Sequence, residues 1–156
     1  MIVELLSRLP FEPVTAVLVI PAVATILLAL LPWYQATAYL NVLATLATLL
    51  AALTLLVARP GRGTYLFVDD LNVVFVVLGT FVGFTTSAFS ASYIGHELEI
   101  GRLTPLNLRF YHAMYQALMF AMNLALLANN IGLMWVAIEL ATLTTVLMVG
   151  IYRTQE

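Results

Sequence analysis

Residues 131–150, IGLMWVAIELATLTTVLMVG, form an apolar run that holds a single acid, Glu139. Counted from the start of a helix over this run, the carboxyl lies roughly 12 Å along at 1.5 Å per residue, near the middle of a membrane-length span. Insertion scales assign roughly 2.5–3.5 kcal/mol to an ionised acid at that depth, so such residues pair, protonate or mark an ion path. A carboxyl held there can load and unload a proton, which makes Glu139 the candidate proton carrier. The blander alternative is a hydrogen-bonded glutamate that ties helices together. A neutral Gln would do that without the cost of ionisation. Trp135, four residues before, and Thr142, three after, share its helical face, one placed to wall the acid and the other to hydrogen-bond to it.

A second polar group precedes this run. His112, Gln116 and Asn123 recur at spacings of four and seven, with Tyr115 adjacent, on one side of an otherwise apolar helix. Such a stripe is expected to face protein or water and not lipid. With Thr142 these residues make a candidate proton path to Glu139. A histidine near the membrane boundary can shuttle protons; a satisfied structural histidine near Arg109 is the open alternative. Thr85, Thr86, Ser87, Ser90 and Ser92 are small hydroxyl residues that let helices pack closely.

Other chemistries find no residues to carry them. No Gly-rich phosphate loop or nucleophile triad is present. The GHE at 95–97 offers one histidine and one acid, too few for a metal site, and His96 and His112 fall in different segments. Without cysteine the chain can form neither a disulfide nor an iron–sulfur centre. No metal or other cofactor is therefore expected within it. Six arginines, no lysine and a net charge of -2 give no basic patch, so nucleic acid is not an expected partner.

The elements that position these residues follow from composition. Of the 156 residues 63% are apolar, against roughly 45–50% in a soluble domain, and the lipid bilayer is the expected surroundings. Five segments reach the roughly 20 residues of a transmembrane helix: about 13–32, 36–58, 71–94, 109–128 and 131–152. The fold class is an all-α membrane protein, a single membrane domain over residues 1–156. The first stretch, MIVELLSRLPFEP, lacks the basic start of a signal peptide and is expected to stay as a short interfacial turn. Between helices 2 and 3, TYLFV suits a short surface strand or hairpin, and Asp69 and Asp70 are placed to cap helix 3. The segment GHELEIGRLTPLNLR reads as a soluble loop. Asn129, Asn130 and Gly132 make a tight connection, so the last two helices are antiparallel neighbours whose polar side chains can meet. Arginines divide evenly between the two sides, Arg8, Arg59 and Arg62 against Arg102, Arg109 and Arg153, and leave the orientation open.

One stretch resembles a known family. Asn130 followed nine positions later by Glu139, in NIGLMWVAIELATLTTVLMVGIYRT, resembles the fifth helix of the antiporter-like membrane subunits. These subunits occur in respiratory complex I, in multisubunit cation/proton antiporters and in membrane-bound [NiFe] hydrogenases. Within that family the closest likeness is to the N-terminal part of hydrogenase-4 component F. FVDDLNVVF resembles the family's start of helix 3, SASYI at 90–94 its end, and Arg109, Phe110 and Tyr111 the start of helix 4.

The resemblance implies proton translocation, with the glutamate at position 139 interacting with a lysine on a later helix and redox chemistry housed elsewhere. This chain has neither that lysine nor the later helices. The expectation is a shortened or split antiporter-like subunit, itself non-catalytic, inside a complex I-like or membrane-bound hydrogenase complex. Expected partners are other membrane subunits, including a lysine-bearing antiporter-like chain, and a hydrogenase- or dehydrogenase-type soluble arm. NiFe centres, Fe–S centres or quinone belong to those partners, and a prokaryotic inner membrane is the expected location. Two alternatives remain: a non-pumping scaffold or anchor subunit of such a complex, and a small independent homo-oligomeric transporter.

Overall fold

Five helices account for nearly all of the described residues. The computed structural model describes residues 12–31, 34–58, 63–99 and 104–151. The helices are α1 (Pro13–Leu30), α2 (Tyr34–Thr54), α3 (Asp70–Glu99), α4 (Pro105–Leu127) and α5 (Ile131–Gly150). The interfacial turn expected over the first residues lies outside the described residues.

Four of the five, α1, α2, α3 and α5, are long and apolar enough to cross a membrane, and the chain is an integral membrane protein. The exception is α4. Its 23 residues suffice in length, but His112, Gln116 and Asn123 lower its hydropathy, and all three are buried against protein. Burial removes the cost of showing those groups to lipid.

The starts of α3, α4 and α5 are each fixed by a local device. Asp69 Oδ1 accepts from the N–H groups of Leu71 at 3.0 Å and Asn72 at 2.7 Å, while Asn72 Oδ1 accepts from Asp69 N–H at 2.8 Å. The expected acidic cap of helix 3 is thus a reciprocal pair. Thr104 accepts from Asn107 N–H ahead of Pro105, whose missing N–H costs nothing in a first turn. Asn130 Oδ1 accepts from Gly132 N–H at 2.8 Å and Leu133 N–H at 3.2 Å and so caps α5.

At this end of the bundle the α2–α3 connection is stitched to the α4–α5 turn. The strand expected in TYLFV is reduced to one antiparallel bridge between Leu66 and Ala128, and no strand occurs among the described residues. Phe67 N–H donates to the Leu127 carbonyl, and Asn129 N–H to that of Tyr65. A single bridge forms because the partner segment is only the short turn before α5. The Asn129 amide reaches the Gly63 carbonyl at 2.9 Å, and that of Asn72 reaches those of Phe67 and Leu126. Several backbone groups of the loop are thereby paired within the chain.

Consecutive helices alternate in direction. Arg109, at the start of α4, donates to the Ala29 carbonyl in the last turn of α1, where a cation complements the helix dipole. Leu108 near the start of α4 packs with Ile151 just past α5. The larger core cluster, with Val17, Leu55, Val73 and Leu127, joins the opposite ends of α1 through α4. The hub is α4, which touches every other helix, whereas α5 lies mainly against α4. Helix α3 continues to Glu99, five residues beyond its expected end. The first part of the expected soluble loop is therefore helical, since GHELE contains no proline to stop a helix from outrunning its apolar run.

Candidate functional site

Because α5 leans on one neighbour, most of its circumference is free. Its buried residues are Ala137 and Thr144, seven positions apart on the stripe that faces α4. Glu139 follows Ala137 by two positions and so points to nearly the opposite side. It is exposed, together with Trp135 and Thr142. The three residues share a face, as their spacing requires, and that face is turned away from this chain.

Glu139 makes no hydrogen bond or ion pair with any described residue. The bond expected from Thr142 is absent: its hydroxyl donates back to the Ile138 carbonyl at 3.0 Å, along its own helix. Trp135 is 62% exposed and leaves the acid open on that side. Beside this face an apolar groove of about 550 Å³ runs between α3, α4 and α5, with Gly79, Ala125 and Ala141 among its small lining residues and Thr142 at its edge.

The polar stripe of α4 looks the other way. His112, Gln116 and Asn123 are fully or almost fully buried. Gln116 Nε2 donates to Asn41 Oδ1 at 2.8 Å and to the Asn41 carbonyl at 3.1 Å, so the stripe meets α2 and not α5. Tyr115 hydroxyl donates to the Gly83 carbonyl of α3 at 2.6 Å. The expected meeting of the α4 stripe with Glu139 does not occur. One face of α4 cannot serve α2 and the outward side of α5 together, and the acid's own helix stands between.

On α2 the stripe has a counterpart that the sequence reading passed over. Thr37, Asn41, Thr45 and Thr48 recur at spacings of four, four and three, and all are buried. Thr45 Oγ1 and Ser87 Oγ share a hydrogen bond of 2.7 Å between α2 and α3. Threonines in an apolar helix give a weak signal because each can bond its own backbone, as Thr48 does to the Ala44 carbonyl. The helical period of the four residues was the usable signal. These contacts make a polar seam along α2, α3 and α4.

The seam includes close backbone packing. A Cβ placed on Gly83 would stand 2.5 Å from both Sδ and Cε of Met119. Ser87 is buried as close packing requires, whereas Thr85 bonds its own helix at an exposed position. Among the described residues no group of three or more histidines and acids is gathered as metal ligands. The seam holds neutral amides, hydroxyls and one imidazole, and the acid lies apart from it.

No protein-family model matches the chain, and no solved structure matches it. A curated protein does: a "Hydrogenase-4 component F homolog" of Methylacidiphilum infernorum (isolate V4), 54% identical over 141 residues. The match takes in 90% of this chain and 30% of that protein, so the chain spans under a third of its relative's length. The likeness seen around Glu139 thus extends over most of the sequence: the chain is similar to a part of this hydrogenase-4 component F homolog.

Proposed function

We propose that this chain is part of an antiporter-like membrane subunit in a hydrogenase-type or complex I-like assembly, where Glu139 carries protons in translocation driven by redox chemistry in other subunits. The observation that carries the reading is the placement of Glu139, midway along α5, outward, and bonded to no described residue. An ionisable group in that position is costly beside lipid and is expected to be covered. The cover is a lysine-bearing segment of another antiporter-like chain or of the remainder of such a subunit. Attraction to the lysine favours the charged carboxylate, and separation favours the neutral acid, so movement of the pair would bind or release a proton.

The relative's name supports membership of a hydrogenase complex, and a soluble arm and further membrane subunits are the partners proposed for it. NiFe or Fe–S centres and quinone would reside in those partners, and a prokaryotic cell membrane would house the whole. The test is Glu139→Gln in the assembled complex, with proton uptake into inverted vesicles followed beside redox turnover. Loss of uptake relative to turnover is expected; unchanged uptake per turnover would sink the proposal.

A second reading rests on the tight seam. The contact of Gly83 with Met119 and the Thr45–Ser87 bond suit a rigid scaffold that fills a subunit interface without pumping. It expects Glu139→Gln to be tolerated and large substitutions at Gly83 to be harmful.

A further inference from the structure

Between α2 and α4 the seam contains buried polar atoms with nothing to bond to. Asn41 Nδ2, Gln116 Oε1 and both ring nitrogens of His112 lie together there, with Asn123 Nδ2 two turns beyond Gln116 and Arg109 Nε one turn before His112 also unpaired on α4. All three residues are 0% exposed. A buried polar atom left unpaired is costly, and native structures keep few of them. Three neighbouring side chains with four such atoms therefore point to a ligand.

Its chemistry follows from which atoms are free. Gln116 Nε2 faces the backbone carbonyl of Asn41 at 3.1 Å, and only a donor can do so, which fixes the amide orientation and leaves Oε1 as a free acceptor. The same Nε2 bonds Asn41 Oδ1 at 2.8 Å, so the free atom of Asn41 is the donor Nδ2. Neutral His112 offers one donor and one acceptor. Its ring sits four residues from Gln116 on the same side of the helix, an axial offset of about 6 Å that one or two small molecules bridge.

The free set is thus mixed and uncharged. A cation placed there would face the Asn41 N–H groups and the ring N–H. An anion would face Gln116 Oε1, and the one cation among the described residues on this side of α4, Arg109, is two turns from Gln116 and held to the Ala29 carbonyl. Water donates and accepts at once and satisfies both kinds of atom. We propose that Asn41, His112 and Gln116 form a site for ordered water inside the bundle, on the far side of α4 from α5. The site does not depend on the role given to Glu139. It places exchangeable protons beside an imidazole in a part of the chain closed to lipid and bulk solvent.

The experiment is radiolytic footprinting of the full chain in its membrane assembly, with oxidation at His112 read by mass spectrometry. Radicals formed from bound water label adjacent side chains that bulk solvent does not reach. Dose-dependent oxidation of His112 is expected despite its burial. The same measurement on Gln116→Leu and Asn41→Leu is expected to show loss of that labelling, with helix content by circular dichroism confirming that each variant folds. His112 unmodified above the unirradiated control would overturn the proposal, because the site would be dry. Labelling that persists at full strength in both folded variants would overturn it too, because the water would lie elsewhere. Neither arm tests proton uptake through Glu139, so the two proposals fail independently.

Discussion

The seam along α2, α3 and α4 and the outer face of α5 hold polar groups under opposite conditions. In the seam Gln116 finds Asn41, Tyr115 finds the Gly83 carbonyl and Thr45 finds Ser87, each across a helix boundary within the chain. On α5 Glu139 finds no partner among the described residues, and Thr142 beside it turns back to its own helix. Hydrocarbon offers no hydrogen bonds, so a polar side chain is satisfied by its own bundle or needs something from outside. The seam accordingly specifies how this chain packs, and the α5 face specifies what it must meet. Substitutions in the first should change stability; those in the second should change function in the assembly and leave the isolated chain alone.

The largest stability effect is expected at Gly83. Leucine there must displace Met119, since even a Cβ stands 2.5 Å from its Sδ and Cε, and it forces α3 from α4 where Tyr115 bonds the Gly83 carbonyl. Overpacking costs about 1–3 kcal/mol, occasionally more, and Gly83→Leu belongs at the upper end. Thermal unfolding in mild detergent checks it. Gly83→Ala should be milder because the end of Met119 is flexible, and equal losses for the two would show that the contact is not what holds these helices together.

Asn41→Leu comes next. It removes the Oδ1 that accepts from Gln116 and leaves a buried donor with one partner instead of two. The expected loss is about 1–3 kcal/mol, the range for a donor orphaned in the interior. An unfolding midpoint equal to that of the unsubstituted chain would remove Asn41 from the seam. Smaller again is Asn130→Ala, which strips the cap from Gly132 and Leu133 N–H at the start of α5. A typical N-cap loss is about 1 kcal/mol. Since α5 leans mainly on α4, fraying at this end should appear in amide exchange of Gly132 and Leu133 before it moves the global transition.

The five helices were legible because length and apolarity mark spans, and two starts because Asp69 and Asn130 stand before them, whereas α4 begins at Pro105, four residues before its expected start, because a proline-led first turn needs no apolar run. The extension of α3 to Glu99 was not, since a helix can leave the hydrocarbon without a change in backbone pattern. The face of α5 was half legible: helical spacing put Trp135, Glu139 and Thr142 together but could not tell whether they looked in or out. In a soluble helix the apolar stripe would decide. Here Val136, Ile138, Leu143 and Val146 are apolar and exposed while Thr144 is polar and buried, so hydropathy carries no direction. For the same reason helical spacing alone lets the α4 stripe face Glu139, whereas the amide of Asn41, on a helix with its own polar period, takes Gln116 instead.

The smallest stability effect sharpens the comparison most. Glu139→Gln removes a charge that has no partner among the described residues and stands on an exposed face, so the isolated chain should unfold within about 0.5 kcal/mol of the unsubstituted one. The same change is expected to abolish proton uptake in the assembled complex, because glutamine keeps the shape and hydrogen-bonding capacity but cannot exchange a proton. A loss of stability in the isolated chain would mean that Glu139 has a partner within it and that the division between seam and outer face is drawn in the wrong place. Unchanged stability with lost uptake would put the acid at the assembly face, where its chemistry is completed by a residue this chain does not supply.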